Sequence, residues 1–149
     1  MLDKVKLVEL LKAKIEDRIA ELDKAIKNSQ DSANQESKSS MGDKYETSRS
    51  MAQNDIGMYE VQKTTALKDK TTLDLLQLQT NFESARVGAV VKTSMGTFFI
   101  GISVGKYDFD GQPLMIISTE SPIGIALKNA KAGEIIQFNQ RAIKVEAVY

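Results

Sequence analysis

Apolar residues recur with a seven-residue period along the first part of the chain. One core position of this repeat holds Val5, Ile19 and Ile26, and the other holds Val8, Ile15 and Leu22, with Lys12 as the interruption. This is the pattern of a coiled-coil seam. It predicts a helix over residues 5–28, on the order of 40 Å long at 1.5 Å per residue. A single helix cannot bury such a stripe alone, so the pattern also predicts a partner helix.

Residues 43–82 fit that partner, because the segment contains no proline and a single glycine, Gly57. Its apolar positions include Met51, Ile56, Tyr59, Ala66, Leu73, Leu76 and Leu78. We assign Met51, Met58 and Tyr59 to packing inside the helix pair, since thioethers readily fill irregular cores. The connection over residues 29–42 is rich in Ser, Asn and Gln, which favour turns over helix interiors. A short connection makes the two helices antiparallel.

Beyond Ala85 the period changes to that of β-structure. Residues 87–91 and 97–104 are β-branched or aromatic runs on either side of Ser94-Met95-Gly96, which predicts a hairpin. Residues 107–113 contain two aspartates and a glycine and are predicted to be a loop before a strand at 114–117.

The end of the chain carries a helix signal and a final pair of strands. Ser121-Pro122 places a good N-cap residue before a proline and predicts a short helix to about Lys128. Two strands, 135–138 and 142–148, follow around Asn139-Gln140. The predicted fold class is therefore α+β, with an antiparallel helical hairpin over residues 1–82, its tip near 29–46, and a small antiparallel β domain with one helix over 86–149.

Composition narrows the chemistry available to the 149-residue chain. It has no histidine and no cysteine, so it lacks an imidazole base, a thiol nucleophile, a disulfide framework and cysteine-based zinc sites. We found no long apolar run and no signal-peptide pattern at the start, and therefore predict a cytoplasmic protein with no membrane association. A formal net charge of zero argues against a protein that coats nucleic acid through a basic surface.

Charge is nevertheless uneven, and the predicted hairpin tip is acidic. Residues 31–60 hold six acidic and three basic side chains. Two of the acids, Asp43 and Glu46, lie where the second helix should start. Asp-x-x-Glu before a helix is also a capping box, in which Asp43 would accept a backbone N–H and Glu46 would reach back to the cap. The spacing alone leaves both an exposed acidic pair and a helix cap open.

Three segments carry a resemblance to a known family. Residues 116–127 (Ile-Ile-Ser-Thr-Glu-Ser-Pro-Ile-Gly-Ile-Ala-Leu) and 131–134 (Lys-Ala-Gly-Glu) are similar to the strand, Ser-Pro turn, helix and Gly-Asp turn of the GreA/GreB family of transcript cleavage factors of bacterial RNA polymerase. Gly42-Asp43-Lys44-Tyr45-Glu46 resembles the family's tip, which has Gly-Asp, then two residues and a Glu. The resemblance implies an FKBP-like C-terminal domain joined to an N-terminal coiled coil.

The resemblance also implies a function. Gre factors insert the coiled coil into the secondary channel of RNA polymerase, where the tip acids help to hold a second Mg²⁺ and a water, and backtracked RNA is cut. On this basis Asp43 and Glu46 would be catalytic acids and Mg²⁺ ligands lent to the polymerase. Ser121, Pro122 and Ile123 would contact the polymerase at the channel rim. The factor would be a monomer, would bind no cofactor alone, would meet nascent RNA and DNA only indirectly, and would not itself be an enzyme.

Several alternatives stay open at this point. Tyr45 and Arg49 also match a family pattern, and aligning on them would remove Asp43 and Glu46 from the acidic pair. A regulator that docks in the same channel without stimulating cleavage would share every feature except working tip acids. A plain coiled-coil dimerisation module is a third interpretation. A prolyl isomerase is disfavoured, because the chain has no tryptophan that could form the base of a proline-binding pocket.

Overall fold

The computed structural model describes residues 2–36 and 42–149, with described side chains in 2–34 and 46–149. Its elements, in chain order, are α1 (Lys4–Glu36), α2 (Gly42–Asp74), β1 (Val90–Thr93), β2 (Gly96–Gly101), β3 (Gly105–Phe109), β4 (Gln112–Ser118), α3 (Pro122–Leu127), β5 (Ile135–Phe138) and β6 (Arg141–Val148). The α+β class predicted from the sequence is confirmed. The first helix continues beyond its predicted end near Asn28, and the second ends before its predicted end at Phe82.

The chain divides into two compact units. We call Leu10–Thr71 the hairpin unit, and Met1–Glu9 together with Thr72–Tyr149 the β unit. The division predicted from the sequence, between residues 82 and 86, stays a prediction.

In the hairpin unit, α1 and α2 run antiparallel. Glu16 near the start of α1 pairs with Lys70 near the end of α2, at 3.5 Å. Further along α1, Asp23 lies 2.6 Å from Lys63. Residues 28–32 of α1 then line a shallow depression together with residues 48–55 of α2. Residues further along α1 thus contact residues nearer the start of α2, as expected for the predicted antiparallel hairpin.

The predicted seam is correct in part. Of its positions, Ile15 and Leu22 are buried in the hairpin unit and Val8 is buried in the β unit, while Ile19 and Ile26 are half-buried. Leu11 is also buried, although it lies outside the predicted seam. The prediction is wrong for Val5, because its side chain is 37% exposed, whereas that of Leu7 is fully buried. The first turns of α1 belong to the β unit, where Lys4, Leu7 and Val8 are buried and Val5 is left exposed.

The β unit contains a six-stranded sheet in the order β3-β4-β2-β1-β6-β5. Four neighbouring pairs are antiparallel, but β2 and β4 pair in parallel, with Phe98 opposite Met115 and Gly101 opposite Ser118. The prediction of a wholly antiparallel sheet is therefore wrong at one pair. The reason is the intervening β3, which pairs back onto the outer side of β4 and lets β2 and β4 run in the same direction.

A second correction concerns residues 107–113, which were predicted to be a loop. They form the β3–β4 hairpin, with Tyr107 opposite Leu114 and Phe109 opposite Gln112. The turn is only two residues long, Asp110 at φ 50° and Gly111 at φ 80°. Positive φ at both central positions is the geometry whose twist matches that of the flanking strands.

One face of the sheet carries α3 and a buried apolar cluster. Its members include Val91, Phe98, Ile100, Ile117, Leu127 and Val145. Helix α3 begins as predicted: Ser121 is its N-cap, with Pro122 in its first turn, and the Ser121 side chain accepts a hydrogen bond from the Gly124 backbone N–H at 3.0 Å.

A hydrogen bond and an ion pair hold the first residues of the chain against the β domain. The Leu2 backbone N–H donates to Tyr149 Oη at 3.3 Å, and Lys6 Nζ lies 2.9 Å from an Asp110 carboxylate oxygen. Between them, Lys4 is only 6% exposed. Its Nζ lies 5.0 Å from the centre of the Phe82 ring and, within the part of the chain that the structure describes, has no hydrogen-bond partner. Burial lowers the pKa of the Lys4 amine below its usual 10.5.

Candidate functional site

The predicted acidic pair lies at the start of α2. The helix begins at Gly42, so the backbone of both Asp43 and Glu46 is helical, and their three-residue spacing puts them at neighbouring positions of one helix face. Glu46 is exposed, whereas the side chain of Asp43 lies outside the described side chains.

Asp43 and Glu46 are a donor set that Mg²⁺ can use. Carboxylate oxygens are the ligands that Mg²⁺ takes, and it usually keeps several waters and needs only one or two protein carboxylates. Among the residues that the structure describes, no group of three or more acidic side chains is placed to hold an ion. Asp43 and Glu46 would therefore supply part of a coordination shell, with the remaining ligands from water and a partner.

The hairpin becomes less well packed toward this end. No described side chain from residue 23 to residue 65 is buried. Depressions there are lined mainly by polar side chains such as Asn28, Ser32, Ser48 and Asp55. Few buried apolar contacts are the physical condition for low local stability. The described side chains at this end thus form no core, and most of the exposed ones are polar.

Two methionines that we assigned to hairpin packing are exposed. Met51 is 62% and Met58 is 52% exposed, so this prediction is wrong for both, while Tyr59 is half-buried. They lie seven residues apart on one side of α2, and Met51 lines a depression between the helices together with Asn28 and Ser32 of α1. Helical spacing alone does not show how much of such a side chain the partner helix covers.

The second predicted site is the Ser-Pro turn before α3. Ser121 Oγ donates to the Ser118 carbonyl at 2.8 Å and accepts from the Gly124 N–H, so this hydroxyl is held inside the turn. Pro122 is exposed, and Ile123 is half-buried against the apolar cluster. The sequence reasoning missed Ile125, which is 63% exposed. Its three-residue spacing from Pro122 puts both on one side of α3.

Gly124 fixes how closely α3 approaches β4. A Cβ at this position would lie 2.1 Å from the Ser118 carbonyl oxygen, far inside contact distance. Only glycine allows this approach, and the approach brings Ser118 within reach of the Ser121 hydroxyl. The geometry of the turn is therefore specified by Ser118, Ser121 and Gly124 together.

Comparisons with known proteins add little. No family model matches the chain, and no curated protein matches it. One solved structure, described as "Structure of the transcription factor Gfh1", is similar over 95% of this chain and 92% of that chain, at 18% identity and a TM-score of 0.36. At that TM-score the likeness supports no statement about this chain. None of the described helices is both long enough and apolar enough to cross a membrane.

Proposed function

We propose that this chain is a Gre-type transcription factor that binds bacterial RNA polymerase and stimulates cleavage of backtracked RNA. The observation that carries the proposal is the antiparallel hairpin with Glu46 exposed in the first turns of α2. The resemblance of residues 42–46, 116–127 and 131–134 to the GreA/GreB family supplies the partner and the reaction. Residues 10–36 of α1 span about 40 Å at 1.5 Å per residue, enough to carry a side chain deep into a channel.

The chain's own contribution to the reaction would be two carboxylates. Asp43 and Glu46 would bind one face of a Mg²⁺ ion whose other ligands come from water and the polymerase. A bound Mg²⁺ supplies Lewis acidity and helps to generate a nucleophile from water. Exposed polar side chains near the end of the hairpin, such as Asn28, Glu46 and Asp55, suit entry into a solvent-filled channel.

The β unit would hold the factor on the polymerase surface. Pro122 and Ile125 form an exposed apolar pair on α3, beside a turn made rigid by Ser121 and Gly124. We propose Ser121, Pro122 and Ile123 as the rim-contacting turn, with Pro122 as the exposed contact. Rigid apolar residues on a fixed turn lose little entropy on binding.

The test is RNA cleavage in stalled elongation complexes. Adding the protein should shorten the transcript from its 3′ end. Asp43→Asn and Glu46→Gln should each reduce that stimulation strongly, because each removes a charge while keeping nearly the same size. Asp55→Asn is the matched control, since Asp55 is an exposed acid further along α2. Stimulation that survives both tip substitutions would refute the proposed role of the acids. Binding without any stimulation by the unaltered protein would favour the regulator instead.

A further inference from the structure

A narrow cleft in the β unit lies beside α3. It has a volume of about 270 Å³ and an apolar lining from Ala85, Val87 and Ile100. Two cations, Arg86 and Lys128, line it as well, and no acidic side chain does. The cleft therefore combines a small apolar floor with two positive charges and no negative charge.

The charges of both cations are unpaired in the described residues. Neither Arg86 nor Lys128 makes a side-chain hydrogen bond or an ion pair there, whereas Lys6, Lys63 and Lys70 each lie against a carboxylate. The carbon of the Arg86 guanidinium is 4.7 Å from the centre of the Phe82 ring. Stacking on an aromatic ring restricts a guanidinium while leaving its N–H groups available for a carboxylate.

The walls of the cleft are held by backbone hydrogen bonds. Ala85 N–H donates to the Ala130 carbonyl at 2.8 Å, and the Ala85 carbonyl accepts from Asn129 N–H at 3.0 Å. On the sheet side, Gly88 N–H donates to the Ile100 carbonyl at 2.8 Å. A ligand would enter a site that is already formed, so little ordering entropy would oppose binding.

We propose that this cleft binds an acidic segment of a partner protein, with a carboxylate between Arg86 and Lys128 and an adjacent apolar side chain against Ala85, Val87 and Ile100. The volume favours side chains over a whole small molecule, since small-molecule pockets typically measure about 300–1,000 Å³. Arginine presents paired N–H donors that match a carboxylate, which supplies direction as well as attraction.

Nucleic acid is the less suitable occupant. Binding to a phosphate backbone depends on many cations spread along a surface, and this chain has a net charge of zero. Residues 86–149 hold seven basic but also five acidic side chains. Two cations over an apolar floor fit one carboxylate with an apolar neighbour better than a run of phosphates.

The identity of the partner rests on the proposed function, under which the acidic segment belongs to RNA polymerase. A peptide experiment tests the cleft independently of that step. The full-length ¹⁵N-labelled protein is titrated with acetyl-Leu-Glu-Leu-Glu-Leu-amide and, separately, with the same peptide carrying glutamine for glutamate. We expect the glutamate peptide to shift the amide signals of Arg86, Val87, Thr119, Lys128 and Asn129, and the glutamine peptide to shift them much less.

Charge reversal provides the second arm. Arg86→Glu with Lys128→Glu should remove the peptide-induced shifts and weaken binding to core RNA polymerase about tenfold or more. Lys92→Glu is the matched control, because Lys92 is an exposed cation on β1 that does not line the cleft. The spectrum of each variant reports directly whether it is folded, and Arg86→Gln with Lys128→Gln serves if charge reversal disturbs the fold.

The outcomes separate the two proposals. Peptide binding that is lost on charge reversal, without any affinity for polymerase, would uphold the cleft and refute the assigned partner. Equal shifts with both peptides, no shifts with either, or shifts unchanged by charge reversal would overturn the cleft. A single-stranded RNA oligonucleotide that shifts these amides when the glutamate peptide does not would assign the two cations to phosphate instead.

Discussion

The β unit and the hairpin unit are stabilised in different ways. In the β unit, Phe99, Ile116 and Leu127 are wholly buried, and even the first turns of α1 contribute Leu7 to the buried set. In the hairpin unit, described residues 23–65 include no buried side chain, and the cross-helix contacts there are exposed pairs such as Asp23–Lys63. Exposed ion pairs contribute little to stability, typically less than about 1 kcal/mol. Stability therefore resides mainly in the β unit, and the hairpin presents polar chemistry.

The two units should respond oppositely to the same glycine-to-alanine change, and the larger response is at Gly124. A Cβ there meets the Ser118 carbonyl oxygen at 2.1 Å, so α3 must move away from β4. We expect Gly124→Ala to lower the free energy of unfolding by about 3 kcal/mol. Urea denaturation of the full chain measures this. A loss below about 1 kcal/mol would show that the turn can relax and does not depend on glycine.

Leu7→Ala tests whether the start of α1 is part of the β unit's core. Leu7 is 0% exposed, and its truncation should cost about 2–3 kcal/mol. Val5→Ala, two residues earlier and 37% exposed, is the matched control and should cost less than about 0.5 kcal/mol. The predicted heptad gives the opposite ranking, since it places Val5 in the seam and Leu7 outside it. Urea denaturation of the two variants therefore shows whether Val5, as the heptad predicts, or Leu7, as its burial indicates, contributes more to stability.

The opposite rankings of Val5 and Leu7 show what the sequence could and could not predict. Ser121-Pro122 and the helix that follows were predicted correctly because capping and the restricted φ of proline act within a few residues. The turn at Asn139-Gln140 was located for a similar reason. The parallel pairing of β2 with β4 depends on which strand edge β3 occupies, and no local pattern encodes that choice.

The site was harder to predict than the fold. The sequence located Asp43 and Glu46 near the turn, but both a helix cap and an exposed pair fitted their spacing. Arg86 and Lys128 are far apart in the chain, and only the folded β unit brings them to one cleft. Met51 and Met58 were misassigned because helical period does not say which side of a helix faces its partner.

Gly57→Ala should have the opposite sign to Gly124→Ala. Gly57 lies within α2, and a Cβ there would meet nothing within 4 Å. Alanine removes the entropic cost of glycine in a helix interior, so we expect a gain of about 1 kcal/mol in local helix stability. Amide hydrogen exchange along α2 measures it, with slower exchange near residue 57 as the expected result. Unchanged or faster exchange would mean that this part of α2 requires glycine.

Replacing Lys4 should have the smallest effect on the free energy of unfolding, and that effect should depend on pH. Burial lowers the pKa of its amine in the folded chain below the 10.5 of the unfolded chain. Between those two values the unfolded chain binds more protons, so the free energy of unfolding should rise with pH. Lys4→Met should be more stable by about 0.5–1 kcal/mol at pH 7, because it avoids burying a charge, partly offset by the lost contact with Phe82.

The control for this prediction is Lys92→Met, which removes an exposed amine from the same unit. The stability difference between Lys4→Met and the unaltered chain should shrink as pH approaches 10.5. A Lys4→Met advantage that does not change with pH would mean that packing, rather than the amine's charge, sets the difference.

Under the proposed function, the hairpin supplies chemistry and the β unit supplies attachment to the polymerase. The most direct test measures the rate of RNA cleavage in stalled elongation complexes against protein concentration, for Glu46→Gln and for Arg86→Glu with Lys128→Glu. We predict that Glu46→Gln lowers the maximal rate without changing the half-saturating concentration. The cleft variant should raise the half-saturating concentration about tenfold and leave the maximal rate unchanged. If both variants changed the same parameter, or if neither changed any, the assignment of separate roles to the two units would be contradicted.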